Sequence, residues 1–198
     1  SSFAQKNLVE ATIMTKENIQ VKGYINYLQW RKSPQTIDFF KSQNSNKTIL
    51  TPKNTLWVKV ANDYYISREI IYTKSPRNTS NISFNTNNPQ YTKTAFCIVI
   101  MEGEIALYEF TDEWATKHYY IEGEENNPIE LIYYKYYKKV GSANKKIIIE
   151  NKKYQGQLAV VLSDCEVVKK ITKSVPYTSK GISNIIEKYN ECKGHSPS

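Results

Sequence analysis

Tyr154-Gln155-Gly156-Gln157-Leu158-Ala159-Val160-Val161-Leu162-Ser163-Asp164-Cys165 and, beyond Pro176, Ile182-Ser183-Asn184-Ile185-Ile186-Glu187-Lys188-Tyr189-Asn190-Glu191-Cys192 decide how this chain folds at its end. Leu158, Val161, Leu162, Cys165 and Val168 recur at i, i+3, i+4, i+7 and i+10, which places them on one face of a helix. Ile182, Ile185, Ile186, Tyr189 and Cys192 repeat the same spacing. Pro176 ends the first helix near Lys173. Thr178 or Ser179 caps the second, and Gly194 stops it. Ser163 and Glu166 have capping-box spacing, so the first helix breaks or kinks at Ser163 and restarts at Asp164. The two stripes face each other in a helical hairpin, with both cysteines inward. This predicts a Cys165–Cys192 disulfide closing a loop of about 28 residues, a contribution of roughly 3–4 kcal/mol in the chain-entropy model. Two reduced core cysteines are the alternative. Cys97, in Phe96-Cys97-Ile98-Val99-Ile100-Met101, reads as a buried thiol with no base beside it.

From Val9 to about Ile149 the signal is strand. Ile19 to Tyr27 alternates apolar and polar and pairs back on Val9 to Met14. Gly23 within it marks a bulge or a close backbone approach. Short strands follow at Thr36 to Phe40, Leu56 to Val60 and Tyr64 to Tyr72. Lys74 to Lys93 reads as a long exposed loop. Its sequons at Asn78 and Asn81 have meaning only in a eukaryotic secretory route. Ala95 to Met101 and Glu104 to Phe110 flank Glu102-Gly103, a two-residue hairpin turn. His118 to Ile121, a long Tyr-rich strand from Pro128 to Lys138, and Lys146 to Ile149 complete the series. Strands followed by helices argue α+β: an antiparallel β body over residues 5–150, a sheet or partly closed roll, with a disulfide-stapled helical hairpin over 151–194 packed on it.

The chain has 198 residues and a formal charge of +8, carried almost wholly by lysine. Arg31, Arg68 and Arg77 are the only arginines. Nucleic-acid readers favour arginine's fork, so no nucleic-acid partner is expected, while an anionic glycan or lipid surface is. Ser1-Ser2-Phe3-Ala4 reads as a signal-peptide remnant over residues 1–4, with an ordinary terminus as the alternative. Residues 195–198 read as a tail.

Asn151-Lys152-Lys153-Tyr154-Gln155-Gly156-Gln157-Leu158, Leu162-Ser163-Asp164-Cys165, and Glu187-Lys188-Tyr189-Asn190-Glu191-Cys192 together resemble a family of exported Bacteroidota proteins with a Y-x-G-Q-L…L-x-D-C…K-Y-N-x-C C-terminus. Gly23-Tyr24-Ile25 with Trp30, Leu50-Thr51-Pro52, and Met101 to Tyr108 are similar to that family too. Glu166 departs from a position where proline is expected. The resemblance implies export and paired cysteines. It implies no activity and supplies no catalytic residue.

His118 heads a strand and His195 lies in the tail; neither has a partner at metal or triad spacing, so both read as surface or strand-end residues. Glu102 and Glu104, and Glu122, Glu124 and Glu125, are candidate carboxylate pairs for a hydrolase, but they read better as solvated turn charges. Tyr133, Lys135 and Tyr137 share one face of the Tyr-rich strand, and Tyr134 and Tyr136 the other. Packing on both faces and an exposed aromatic–basic platform are both open. Trp114, in a polar turn, is the other candidate contact. No cofactor or metal is expected. The sequence therefore points to a non-enzymatic exported binding or assembly module of the periplasm or outer membrane. One version is an accessory or plugging subunit of an outer-membrane channel or export complex. A carboxylate-dependent hydrolase and a glycan- or lipid-binding module using the Tyr-rich strand are the alternatives.

Overall fold

The computed structural model describes residues 7–74, 82–84, 88–142 and 144–194. Asn78, Asn81, His195 and the N-terminal residues 1–4 lie outside the described residues. Among the described residues, twelve strands precede three helices. In chain order they are β1 (Leu8–Thr15), β2 (Gln20–Asn26), β3 (Ile37–Phe40), β4 (Lys47–Leu50), β5 (Thr55–Val60) and β6 (Asp63–Thr73). These are followed by β7 (Gln90–Met101), β8 (Ala106–Thr111), β9 (Lys117–Glu122), β10 (Ile129–Glu130), β11 (Tyr134–Val140) and β12 (Lys145–Asn151). The helices are α1 (Lys153–Val161), α2 (Glu166–Ile171), extended by a tight turn at Thr172–Ser174, and α3 (Ser179–Cys192). The class is α+β, as the sequence implied. Ten strands form one antiparallel sheet in the order β10-β9-β8-β7-β6-β5-β1-β2-β3-β4, and β11 pairs with β12 in a separate two-stranded ribbon. Two meanders, β1–β4 and β5–β10, thus join along β1 and β5.

The chain divides into two compact units. The first comprises Ser1–Glu69, Thr94–Val99 and Glu109–Lys117. Its core gathers the inward residues of the alternating strands: Ala11 and Ile13, Ile25, Ile37 and Phe39, Val58 and Val60, with Phe96 fully covered. Gly23 is a close approach, not a bulge: a Cβ there would lie 2.3 Å from the Phe40 carbonyl oxygen and 2.5 Å from the Phe39 ring. The pairing of β1 with β2 runs through it without a register shift. Cys97 is buried and remains a thiol.

The second unit comprises Ile70–Lys93, Ile100–Tyr108 and His118–Ser198. Its core joins Leu107, Tyr119, Ile121 and Leu131 to the apolar stripes of the three helices. The Cys165–Cys192 disulfide is present. The helix break expected at Ser163 occurs, but the chain restarts at Glu166 rather than Asp164, and not by a capping box. Cys165, in extended conformation, is the N-cap of α2 and makes no side-chain cap bond. The expectation of two inward cysteines also needs correction. Cys165 is 1% exposed, whereas Cys192, on the last residue of α3, is exposed. A helical stripe predicts direction but not whether neighbouring chain extends far enough to cover its final turn. Thr178 caps α3, its hydroxyl accepting from the Gly181 N–H at 3.0 Å, and Gly194 stops it with φ +85°.

Three further expectations change. The β7–β8 connection is longer than a two-residue turn, because β7 ends at Met101 and β8 starts at Ala106. Asn190 of α3 holds that loop: its Oδ1 accepts from the Ile105 N–H at 3.1 Å and its Nδ2 donates to the Ile105 carbonyl at 3.2 Å. The strand expected over Pro128 to Lys138 is two strands, β10 and β11, with Leu131, Ile132 and Tyr133 between them. At that break the chain changes partners. Leu131 N–H still bonds Tyr119, while Ile132 N–H bonds the Gln157 side chain and Ile132 carbonyl accepts from Tyr154 N–H. The loop expected from Lys74 gives way to strand at Gln90 rather than after Lys93.

Candidate binding face

The β11–β12 ribbon has the register Lys135↔Glu150, Tyr137↔Ile148 and Lys139↔Lys146. Since side chains alternate across a strand, these six residues and Tyr133 share one face. At the base of that face Glu150 is a junction. Its Oε1 accepts from the Tyr133 hydroxyl at 3.0 Å and lies 3.4 Å from Lys135 Nζ, and its Oε2 lies 3.1 Å from Lys152 Nζ. Hydrogen bonding from Lys152, then from Tyr133, holds the Glu150 carboxyl below its ordinary pKa. Further along, Lys146 Nζ sits 3.5 Å above the Tyr137 ring, and both Lys139 and Lys146 lie over the Phe84 ring. Phe84 is 50% exposed and packs its ring 5.7 Å from that of Tyr137. Cation–π pairs of this kind fix a lysine over an aromatic plane while leaving its ammonium wet.

Tyr133 also stacks on Tyr177 at 4.9 Å, and Tyr154 meets both rings edge-on. These three tyrosines, with Glu150, Lys152 and Lys173, line a cleft of about 410 Å³. Tyr154 is buried and its hydroxyl donates to the Val175 carbonyl at 2.6 Å; burial pushes its pKa up. Tyr177 donates to the Leu131 carbonyl at 2.7 Å. The cleft is therefore lined by fixed aromatic planes with lysine at its margin, an arrangement suited to stacking an apolar ring face and pairing an anionic group.

The sequence-predicted contact residues fall as follows. Tyr133, Lys135 and Tyr137 are on this one face and all are half-buried, so neither complete packing nor a fully open platform describes them. Tyr134 and Tyr136 occupy the other face and are equally half-buried. Trp114 is 52% exposed, in a turn held by Asp112 Oδ1, which accepts from the N–H groups of Trp114 and Thr116. It belongs to the first unit, where β1, β2 and β5 also form a polar cleft of about 480 Å³ that includes Lys22, Lys41 and Lys59.

Two readings of acidic and histidine residues are corrected. His118 stands at the start of β9, as a strand-end residue, but not at the surface: it is 2% exposed, and its Nδ1 lies 2.8 Å from Glu130 Oε1. Glu130 Oε2 accepts from both the N–H and the hydroxyl of Thr73. Glu122 is not a solvated turn charge: it is 5% exposed and accepts from the Tyr108 hydroxyl at 2.6 Å. Strands β8 and β9 are covered on both faces, which places polar residues inside wherever a partner exists for them. Glu102, Glu124 and Glu125 are exposed, and none of the candidate glutamates lines either cleft. Among the described residues, no cluster of three or more His, Cys, Asp or Glu side chains is placed to hold a metal ion, and no helix is long and apolar enough to cross a membrane.

No protein-family model, curated protein or solved structure matches the chain.

Proposed function

We propose that this protein is a non-enzymatic binding and assembly module of an oxidising, extracytoplasmic compartment, exported to the periplasm or outer membrane of a Gram-negative cell. In that setting it serves as an accessory subunit of a membrane channel or export complex. The observation that carries this reading is the aromatic–lysine face of β11–β12, where Tyr133, Lys135, Tyr137, Lys139, Lys146 and Phe84 form one continuous surface. Lysines outnumber the single Glu150 on it, so its partner is anionic. The Cys165–Cys192 bond supports the compartment, because disulfides persist where thiols are not kept reduced. The resemblance of the cysteine block to exported Bacteroidota proteins supports the address.

The test is crosslinking in intact envelopes with wild type and with Lys135→Glu/Tyr137→Ala. Wild type is recovered with a membrane complex and the double variant is lost from it. Equal recovery of both as a free species would end this reading. A second reading, a glycan- or lipid-headgroup-binding module, is favoured by the stacked Tyr133–Tyr177 pair beside Lys152 and Lys173. It predicts salt-sensitive binding to anionic polysaccharide or anionic vesicles that Tyr133→Ala abolishes.

A further inference from the structure

The ribbon has an edge whose sequence is complementary to itself. Tyr137 N–H bonds the Ser83 carbonyl at 2.9 Å, away from β12. In an antiparallel ladder, inward and outward backbone groups alternate in step on the two strands. Tyr137 and its partner Ile148 are therefore a pair that makes no mutual backbone bond, and the same holds for Lys135↔Glu150 and Lys139↔Lys146. It follows that Lys146, Ile148 and Glu150 turn their N–H and C=O groups to the outer side of β12. Among the described residues no third strand joins there, since the ribbon ends at β12. All three residues are exposed, Ile148 by 43%. An open edge carrying Ile147-Ile148-Ile149 is a pairing template.

We propose that β12 pairs with β12 of a second copy of this chain, antiparallel about a two-fold axis at Ile148. In Lys145-Lys146-Ile147-Ile148-Ile149-Glu150-Asn151 that register places Ile148 opposite Ile148 of the partner subunit and Lys146 opposite Glu150 of the partner subunit. On the other face Ile147 meets Ile149 of the partner subunit, and Lys145 meets Asn151 of the partner subunit. The Ile148 pair lies on the axis and occurs once, and every other pair occurs twice, as an isologous contact requires. The isoleucine pairs and the Lys146–Glu150 pairs are of kinds that stabilise cross-strand neighbours, β-branched apolar residues and opposite charges. A register shifted by two residues would set Lys146 against Ile148 of the partner subunit and lose both charge pairs. The result is a four-stranded β11–β12–β12–β11 sheet between two molecules. The axis runs perpendicular to that sheet, so the two aromatic–lysine faces lie side by side and act as one bivalent surface. The contact goes beyond the proposed function and stands without it. A seven-residue edge is small beside a standard interface, so the association is concentration-dependent.

The experiment uses sedimentation velocity on the full chain, with far-UV dichroism to confirm folding of each variant. Lys146→Glu and Glu150→Lys, each alone, set like charges opposite one another and weaken dimerisation by about tenfold or more. Mixed together they restore it, as one chain's Glu meets the other's Lys. In parallel, Ile147→Cys mixed with Ile149→Cys forms an intermolecular disulfide under mild oxidation, because the pair lies at about 4.5 Å between Cα atoms, within bonding geometry. Neither variant crosslinks alone. A wild type that stays monomeric at every concentration and a cysteine mixture that fails to crosslink would overturn the proposal and leave the edge to a strand of another protein. Two single charge variants that dimerise like wild type would overturn it too, by moving the contact to another surface. A charge-variant mixture that stays monomeric would refute the register.

Discussion

Asn190 ties α3 to the β7–β8 loop, and its replacement by alanine reads the strength of that tie. The side chain satisfies both polar groups of one peptide residue, Ile105, which is 8% exposed, and Asn190 itself is 6% exposed. Each bond contributes about 0.5–1.5 kcal/mol net, and a buried group left unsatisfied costs about 1–3 kcal/mol. The loop tip at Glu102 and Gly103 is exposed, so water reaches part of the vacated site. The expected loss is then about 2–4 kcal/mol for Asn190→Ala, a fall in Tm of about 5–15 °C for a chain of this size. Urea unfolding followed by tryptophan fluorescence measures it, with Lys188→Ala on the exposed side of the same helix as the control. Asn190→Asp sharpens the test. It keeps an acceptor for the Ile105 N–H but sets a carboxylate against the Ile105 carbonyl, so its pKa is raised on folding. A group of that kind stabilises when protonated, and the stabilisation fades as pH rises through its folded value. Asn190→Asp therefore gains on wild type as pH is lowered from 7 toward the ordinary carboxyl range of about 4. If Asn190→Ala and Lys188→Ala differed by less than about 0.5 kcal/mol, within the ordinary range for surface substitutions, the clamp would be an ornament.

Four shorter predictions accompany this one. Cys165→Ser/Cys192→Ser removes a bridge of sequence separation 27 and lowers stability by about 3–4 kcal/mol, and non-reducing mass measurement of wild type shows the loss of two hydrogens on the cysteine pair. Gly23→Ala drives a methyl into the Phe40 carbonyl at 2.3 Å and costs about 3 kcal/mol or more; a neutral result in thermal unfolding would contradict the close approach. Glu130→Ala strips Thr73 of two bonds and His118 of its carboxylate, and is expected to cost about 2–4 kcal/mol by denaturant titration. Glu150 has a lowered folded pKa, first through Lys152 and then Tyr133; its contribution is present above the ordinary glutamate value of 4.5 and is lost as pH falls through the folded value. An NMR titration of the Glu150 side chain, with Tyr133→Phe moving it toward the ordinary value, checks this.

The parts of the fold that were legible are those in which one period dominates. The stripes at Leu158–Val168 and Ile182–Tyr189 predicted helices and a break at Ser163, because each was a local pattern, and they set the two cysteines where a bridge was the favoured of two outcomes. The strands β1, β2, β5 and β6 were legible for the same reason: one covered face gives alternation. Strands β8 and β9 are covered on both faces, which erases alternation, and this is why His118 and Glu122 were misplaced at the surface. Glu130 and Thr73, 57 residues apart, meet only through the sheet, and no local spacing announces them. The split of the Tyr-rich segment at Leu131–Tyr133 depends on Gln157 and Tyr154 capturing Ile132, a tertiary event. Of the candidate face, Tyr133, Lys135 and Tyr137 were legible from period two alone. Glu150, Lys146 and Phe84 were not, because their membership depends on the register of β12 and on the segment around Ser83.

The unequal covering of the two bridged sulfurs has a kinetic consequence. An attacking thiolate from solvent reaches Cys192, at the exposed end of α3, and not Cys165, which is 1% exposed. Exchange must then expel Cys165 as the leaving thiolate into surroundings lined by Leu158, Leu162 and Ile186. A charge in such surroundings is disfavoured, which makes Cys165 a poor leaving group. The bridge is thus open to encounter yet slow to part, and any mixed disulfide formed at Cys192 reverts as the retained thiol closes back on it.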